Sequence, residues 1–206
     1  MNLIVSADLN WGVGYDNRLL FRLPPDMRFF LEKTLGGAVI MGRKTLESLP
    51  GGNPLRDRVN IVMTGNPEKF GTRLRGQRTA SETGVDGCLL VCQNLPELAN
   101  CIKGLALDGN RMWVIGGAEI YRLLLPYSRE AFVTRVLAEA PQVDCRMVDL
   151  DSADGWKREV TGDVLEWEGL RYRFDRYTNQ EIKDLPTAAT TAKASATLLP
   201  MENISS

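Results

Sequence analysis

Five short apolar runs punctuate this chain, at residues 2–7, 38–41, 59–64, 88–92 and 112–115. Each is too brief for a buried helix, and each stops at a polar residue or glycine, namely Asp8, Gly42, Gly65, Gln93 and Gly116. Runs of that length read as strands buried on both faces. The segments between them read as helices. Pro24-Pro25 opens one through about Thr34, because proline suits a first turn and Asp26 meets the positive end of the macrodipole there. Gly36-Gly37 stops it. A short helix follows Gly42-Arg43-Lys44-Thr45, another runs from about Pro96 to Leu105, and an apolar one leads from Gly116-Gly117 to about Leu125. Strands alternating with helices predict an α/β fold, a mostly parallel central sheet with helices on both faces. Residues 130–138 and 170–177 read as late strands without a helix between them, with residues 156–167 as one more. That predicts an antiparallel C-terminal edge. Residues 8–17 form a long loop rich in Gly, Asn and Asp, a kind that usually serves function. Residues 50–54 read as a loop, and residues 71–87 are polar and give no clear element.

The 206 residues suit one domain and a tail. Between Thr187 and Thr197 every residue but Lys193 is Ala, Thr or Ser. Such a segment buries too little apolar area to offset its ordering entropy. The expected division is a domain at 1–178 and a flexible tail at 179–206. A net charge of −1 argues against nucleic acid as a partner. No apolar stretch approaches the ~20 residues of a membrane span, and no signal peptide is evident, so the expectation is a cytoplasmic protein and a monomer. Cys88, Cys92, Cys101 and Cys145 form no CxxC and read as reduced thiols. Histidine is absent. That excludes a Ser-His-Asp triad, a Cys-His pair and His-containing metal sites, and no metal is expected. A general acid must then be a carboxylate, Lys, Tyr, Cys or a positioned water.

Two strand ends draw attention. Val114-Ile115-Gly116-Gly117 runs into a helix, where glycines admit a close ligand and free N–H groups face it. An ordinary tight turn accounts for the pattern equally well. Met41-Gly42-Arg43-Lys44-Thr45 places two cations and a hydroxyl at a second such end, with Thr64 beyond the next strand. An anion there would relieve the conflict with the helix dipole, although a solvated basic turn is the plainer reading. Neither a GxGxxG after a strand nor a P-loop is present. Asp26 lies one turn before Phe30, with Met27 and Leu31 at the margins of that face, so burial should raise its pKa, although by pattern alone a plain N-terminal helix carboxylate is the favoured reading. Arg58 could clamp a carboxylate, or simply pair with Asp57 on the surface.

In order and spacing these segments resemble the dihydrofolate reductase family, of the bacterial chromosomal type. Leu23-Pro24-Pro25-Asp26-Met27 with Phe30 carries the resemblance, as do residues 39–48, 58–61, 114–121 and 132–134. It covers residues 1–178 and implies reduction of 7,8-dihydrofolate to tetrahydrofolate by NADPH. A hydride would pass from nicotinamide C4 to pterin C6, and N5 would gain a proton through water. The resemblance makes Asp26, Thr134, Leu19 and Phe21 the catalytic group. Asp26 would bind the pterin 2-amino group and N3, with Thr134 bonded to it. Val5, Ser6, Phe30, Ser48, Leu49, Leu55 and Ile115 would line the substrate pocket, and Arg58 would pair with the glutamate tail. NADPH would lie against Ser6, Val13, Gly14, Asn17 and Leu19 of the first strand and its loop. It would then cross Gly42, Arg43, Lys44, Thr45, Met63 and Thr64 to Ile115, Gly116, Gly117, Ala118, Glu119, Ile120 and Tyr121. Residues 13–20 correspond to a loop that closes over the nicotinamide. Three departures stand out, one of them the segment at 50–54, which is longer and richer in glycine than the family's. Leu20-Phe21 replaces the family's Pro-Trp, so an N–H donor to a site water is missing. Ser6 stands where alanine is common. Lys44 fills a position where some members use histidine. The alternatives are a pyrimidine or pterin reductase of the same fold, or a weakly catalytic folate-binding protein.

Overall fold

The computed structural model describes residues 1–67, 88–105 and 107–187. The expected polar stretch at 71–87 and most of the tail lie outside them. A sheet of nine strands forms the centre among the described residues. Its elements in chain order are β1 (Asn2–Ala7), β2 (Gly12–Gly14), α1 (Pro24–Thr34), β3 (Ala38–Gly42), α2 (Arg43–Ser48), β4 (Val59–Met63), β5 (Leu89–Cys92) and α3 (Leu95–Gly104). They continue with β6 (Met112–Gly116), α4 (Ala118–Leu124), β7 (Glu130–Val136), β8 (Cys145–Arg146), β9 (Trp156–Thr161), β10 (Leu165–Trp167) and β11 (Leu170–Asn179). The sheet order is β10-β11-β7-β1-β6-β3-β4-β5, with β9 also on β11. The six strands from β7 to β5 are parallel, and β9, β10 and β11 run antiparallel at one edge.

Strand parity explains why the runs are apolar throughout. Leu3, Ala38, Ile40, Ile61 and Val114 point to one face and pack with Leu98 of α3 and Tyr121 and Leu124 of α4. Ile4, Val39, Met41, Val62 and Trp113 point to the other and meet Phe29 and Phe30 of α1 and Leu46 of α2. With helices on both sides, neither parity may be polar.

Three features differ from the sequence reading. The expected loop at 8–17 contains β2, which pairs with β8. A two-residue turn follows, with Asp16 and Asn17 at positive φ and reciprocal Tyr15–Arg18 backbone bonds. The stretch 156–167 is two strands rather than one, broken between Thr161 and Leu165. At the C-terminus β11 runs to Asn179. Gln180 N then donates to Gly155 O, Lys183 N donates to Pro126 O, and Leu185 packs on the core. The chain therefore stays bonded to neighbouring segments of the domain beyond residue 178. No helix among the described residues is long and apolar enough to cross a membrane.

Candidate active site

The sheet opens where β1 and β6 part. Their ladder stops at Leu3↔Val114, while β1 stays paired with β7 as far as Ala7↔Arg135. After β1 the chain crosses to α1 on one face, and after β6 it crosses to α4 on the other. Ligands of open α/β sheets bind in such a crevice, outside the carboxyl ends of the strands. The Tyr121 hydroxyl fills the fork, donating to Ile4 O at 2.8 Å. Burial pushes its pKa well up, helped by Cys145 and Asp26, so it remains a donor.

Asp26 stands at the mouth of this crevice on the α1 side. It is 8% exposed and accepts from Thr134 Oγ1 at 2.6 Å. The pairing follows from register, because Thr134 lies opposite Ser6 and shares the parity that faces α1. Burial raises the Asp26 pKa, and the Thr134 bond partly lowers it again. Desolvation is the larger cause, so the carboxyl is easier to protonate than an ordinary aspartate.

Helix α1 spaces the rest of the pocket. Asp26, Phe30 and Thr34 recur every four residues on one face. At 1.5 Å per residue, Asp26 and Thr34 are ~12 Å apart along the axis. Thr34 is buried, donates to Phe30 O at 2.8 Å and accepts from Arg58 Nη1 at 3.4 Å. Arg58 is 6% exposed, and its Nε donates to Arg56 O. Among the described residues no carboxylate forms an ion pair with it. Burial lowers its pKa, and Asp57 offsets this only in part. A buried guanidinium without a counter-ion is costly, and a ligand carboxylate would relieve it. Phe30, Leu49, Leu55 and Ile115 belong to one apolar cluster between the two charges, each half-buried.

On the far side of β6 the ends of β3 and β6 converge, since Met41 pairs with Gly116 and Gly42 with Met63. The Gly116–Gly117 peptide is cis, and Gly116 has φ 127°. A Cβ on Gly116 or Gly117 would come within 3.4 or 3.5 Å of Thr45 Oγ1. A Cβ on Gly42 would come within 3.1 Å of Ile120. The three glycines therefore let the backbone pack closely against Thr45 and Ile120, with the exposed Lys44 beyond. Ala118, Ile120 and Thr64 are half-buried at this edge, and Glu119 is exposed. The Thr64 hydroxyl accepts from Asn66 N.

Several expected residues sit differently from a simple pocket wall. Val5 and Met63 point into the opposite core layer, so only their backbone faces the crevice side. Ser48 is exposed and its hydroxyl donates to Thr45 O. Phe21 packs with Leu23, Val136 and Tyr172, further along the Asp26 face. Leu19 is 57% exposed, at the end of the hairpin that carries Val13, Gly14 and Asn17. That hairpin is held by Asp144, whose Oδ2 accepts from Asp16 N at 2.9 Å. Arg43 is tied to Glu47 of its own helix. Sequence reasoning missed Thr34, Glu47 and Asp144. The first two were signalled by four-residue spacing from Phe30 and Arg43; nothing local marked Asp144.

Fold and site define a class, an α/β enzyme with a buried acid on one side of the end of β6 and a glycine turn on the other. The chain belongs to the dihydrofolate reductase family, whose model matches residues 1–179. It is 33% identical over 183 residues to the dihydrofolate reductase of Mycobacterium leprae, covering 86% of this chain and 96% of that one. It is 33% identical over 136 residues to that of Bacillus subtilis, covering 66% and 68%. To that of Haemophilus influenzae it is 28% identical over 180 residues, covering 85% and 86%.

Proposed function

We infer that this enzyme reduces 7,8-dihydrofolate to 5,6,7,8-tetrahydrofolate with NADPH. One observation carries the reading. A single helix face sets the buried Asp26 carboxylate ~12 Å along the axis from Thr34, which accepts from the buried guanidinium of Arg58, with the ring of Phe30 at the step between them. That spacing suits a molecule with a hydrogen-bond-donating ring at one end and a carboxylate at the other.

In this reading Thr134 occupies Oδ1 of Asp26 and leaves Oδ2 for the pterin 2-amino group and N3. The raised pKa lets Asp26 carry the proton that a site water delivers to N5. Phe21 offers that water no hydrogen bond, so Asp26 bears more of its placement. Phe30, Leu49, Leu55 and Ile115 exclude solvent, which strengthens each polar contact in the pocket. Arg58 pairs with the substrate's α-carboxylate, fixing the ring over the crevice. The glycine backbone at Gly42, Gly116 and Gly117, with Thr45, Thr64, Arg43 and Lys44 beside it, suits a dinucleotide bearing a 2′-phosphate. When bound, that cofactor supplies the hydride. Four free cysteines accord with a reducing, cytoplasmic setting, and the reading takes the enzyme as a monomer.

The test is direct. Purified protein mixed with NADPH and dihydrofolate should oxidise the one and reduce the other catalytically. Tight binding of both without turnover would instead make it a binding protein.

A further inference from the structure

At the end of β3, the cation that the reading above assigns to the cofactor's 2′-phosphate is already engaged. Arg43 Nη1 donates to both carboxylate oxygens of Glu47, at 2.7 and 2.8 Å. The two residues are one turn apart on α2, with side chains 42% and 50% exposed. Lys44, next in the chain, makes no ion pair among the described residues. Thr64 directly follows Met63, the register partner of Gly42, so it leaves the sheet beside Arg43. Among the described residues this edge thus presents a hydroxyl, one cation without an ion pair and one cation matched by an internal anion.

We propose that Glu47 is a specificity-determining residue, which weakens the preference of this edge for a 2′-phosphorylated nucleotide. The proposal rests on the NADPH reading and deepens it. A phosphomonoester carries a charge of about −1.5 to −2 at neutral pH. To use Nη1 it must displace Glu47. To use Nε or Nη2 it must sit near a second anion, against a guanidinium whose charge is already offset. Both penalties fall on the 2′-phosphate alone, because a nucleotide without that group makes no demand on Arg43. Glu47 also holds Arg43 in place, which acts in the opposite sense. That benefit is bounded, since an exposed pair of this spacing is worth only about twofold in an equilibrium. Repulsion between a carboxylate and a dianion ~6 Å apart in water approaches tenfold before screening. Repulsion therefore outweighs placement.

The test uses adenosine 2′,5′-bisphosphate and adenosine 5′-monophosphate as probes, titrated calorimetrically into wild type, Glu47→Gln and Arg43→Gln. Glu47→Gln should bind the bisphosphate about three- to tenfold more tightly than wild type. Its affinity for the monophosphate should change by less than about twofold. Equal or weaker bisphosphate binding by Glu47→Gln overturns the proposal. If wild type prefers the bisphosphate and Arg43→Gln loses that preference while Glu47→Gln matches wild type, only the role of Glu47 falls. If wild type shows no preference and Arg43→Gln binds alike, the 2′-phosphate reading falls with it.

Discussion

Asp26 shows how one residue is set to its task at a cost to the fold. Its pKa lies above the unfolded value of 3.8, with desolvation the main cause. A carboxyl raised in the folded state contributes its stability below the unfolded pKa and loses it as pH rises through the folded one. Near neutrality the ionised form is therefore a burden. Asp26→Asn keeps an acceptor for Thr134 and removes the charge. It should melt about 2–4 °C higher than wild type at neutral pH, with the gap closing toward pH 3.8. Calorimetric melting across pH checks this. The same variant should lose at least about 100-fold in dihydrofolate reduction at neutral pH, recovering in part at low pH where the substrate is itself protonated. A pH–rate profile like that of wild type would remove Asp26 from proton delivery. Arg58 allows a cleaner separation of binding from chemistry. Arg58→Leu should raise KM for dihydrofolate about 10- to 100-fold and leave a pteridine lacking the glutamate tail unaffected. Steady-state kinetics with both substrates decide it.

Elements determine how much of this was visible beforehand. The Asp26–Phe30 face was legible because α1 begins at a proline pair and keeps a four-residue beat. The same beat reaches Thr34, so the helix that supplies the acid also supports Arg58. The bond from Thr134 to Asp26 spans 108 residues, and no local periodicity carries such information. It was anticipated only through likeness to a family. Strands β2 and β8 are three and two residues long, too short for alternation to register. Their pairing is what makes an ordered hairpin of a segment that composition alone marks as a loop. The glycine turn was the strongest motif and still ambiguous, since a tight turn and a ligand cradle use the same residues. Its backbone separates the two. Gly116→Ala forces a side chain into φ 127°, with a methyl 3.4 Å from Thr45 Oγ1. The strain should be roughly 1–3 kcal/mol, or about 2–12 °C in melting temperature. NADPH affinity should fall much further than dihydrofolate affinity, as paired titrations would reveal.

For the molecule as a whole, strand–helix alternation was enough to give a parallel sheet with covered faces, and the missing last helix gave the antiparallel edge. The C-terminal boundary was less legible. Composition marks where residues stop being apolar, but Gln180 and Lys183 are held by their backbone, which composition does not record. Two truncations exploit the difference. Ending the chain after residue 187 should leave the melting temperature within about 1 °C of wild type. Ending it after Asn179 removes the Lys183 bond and the Leu185 packing and should lower it measurably. Equal melting temperatures for the two would show that residues 180–187 add nothing.

The fork between β1 and β6 also bears on how the enzyme is made. Its closing bond, from Tyr121 to Ile4, joins residues 117 apart, and the acid's own partner is nearly as distant. A nascent chain still lacking β7 thus carries α1 and its carboxylate without Thr134 and without one of the two strands that flank β1. Substrate and cofactor can stabilise only a folded chain. They can lend full support on the ribosome only once the seventh strand has emerged, and until then the apolar runs depend largely on one another or on chaperones.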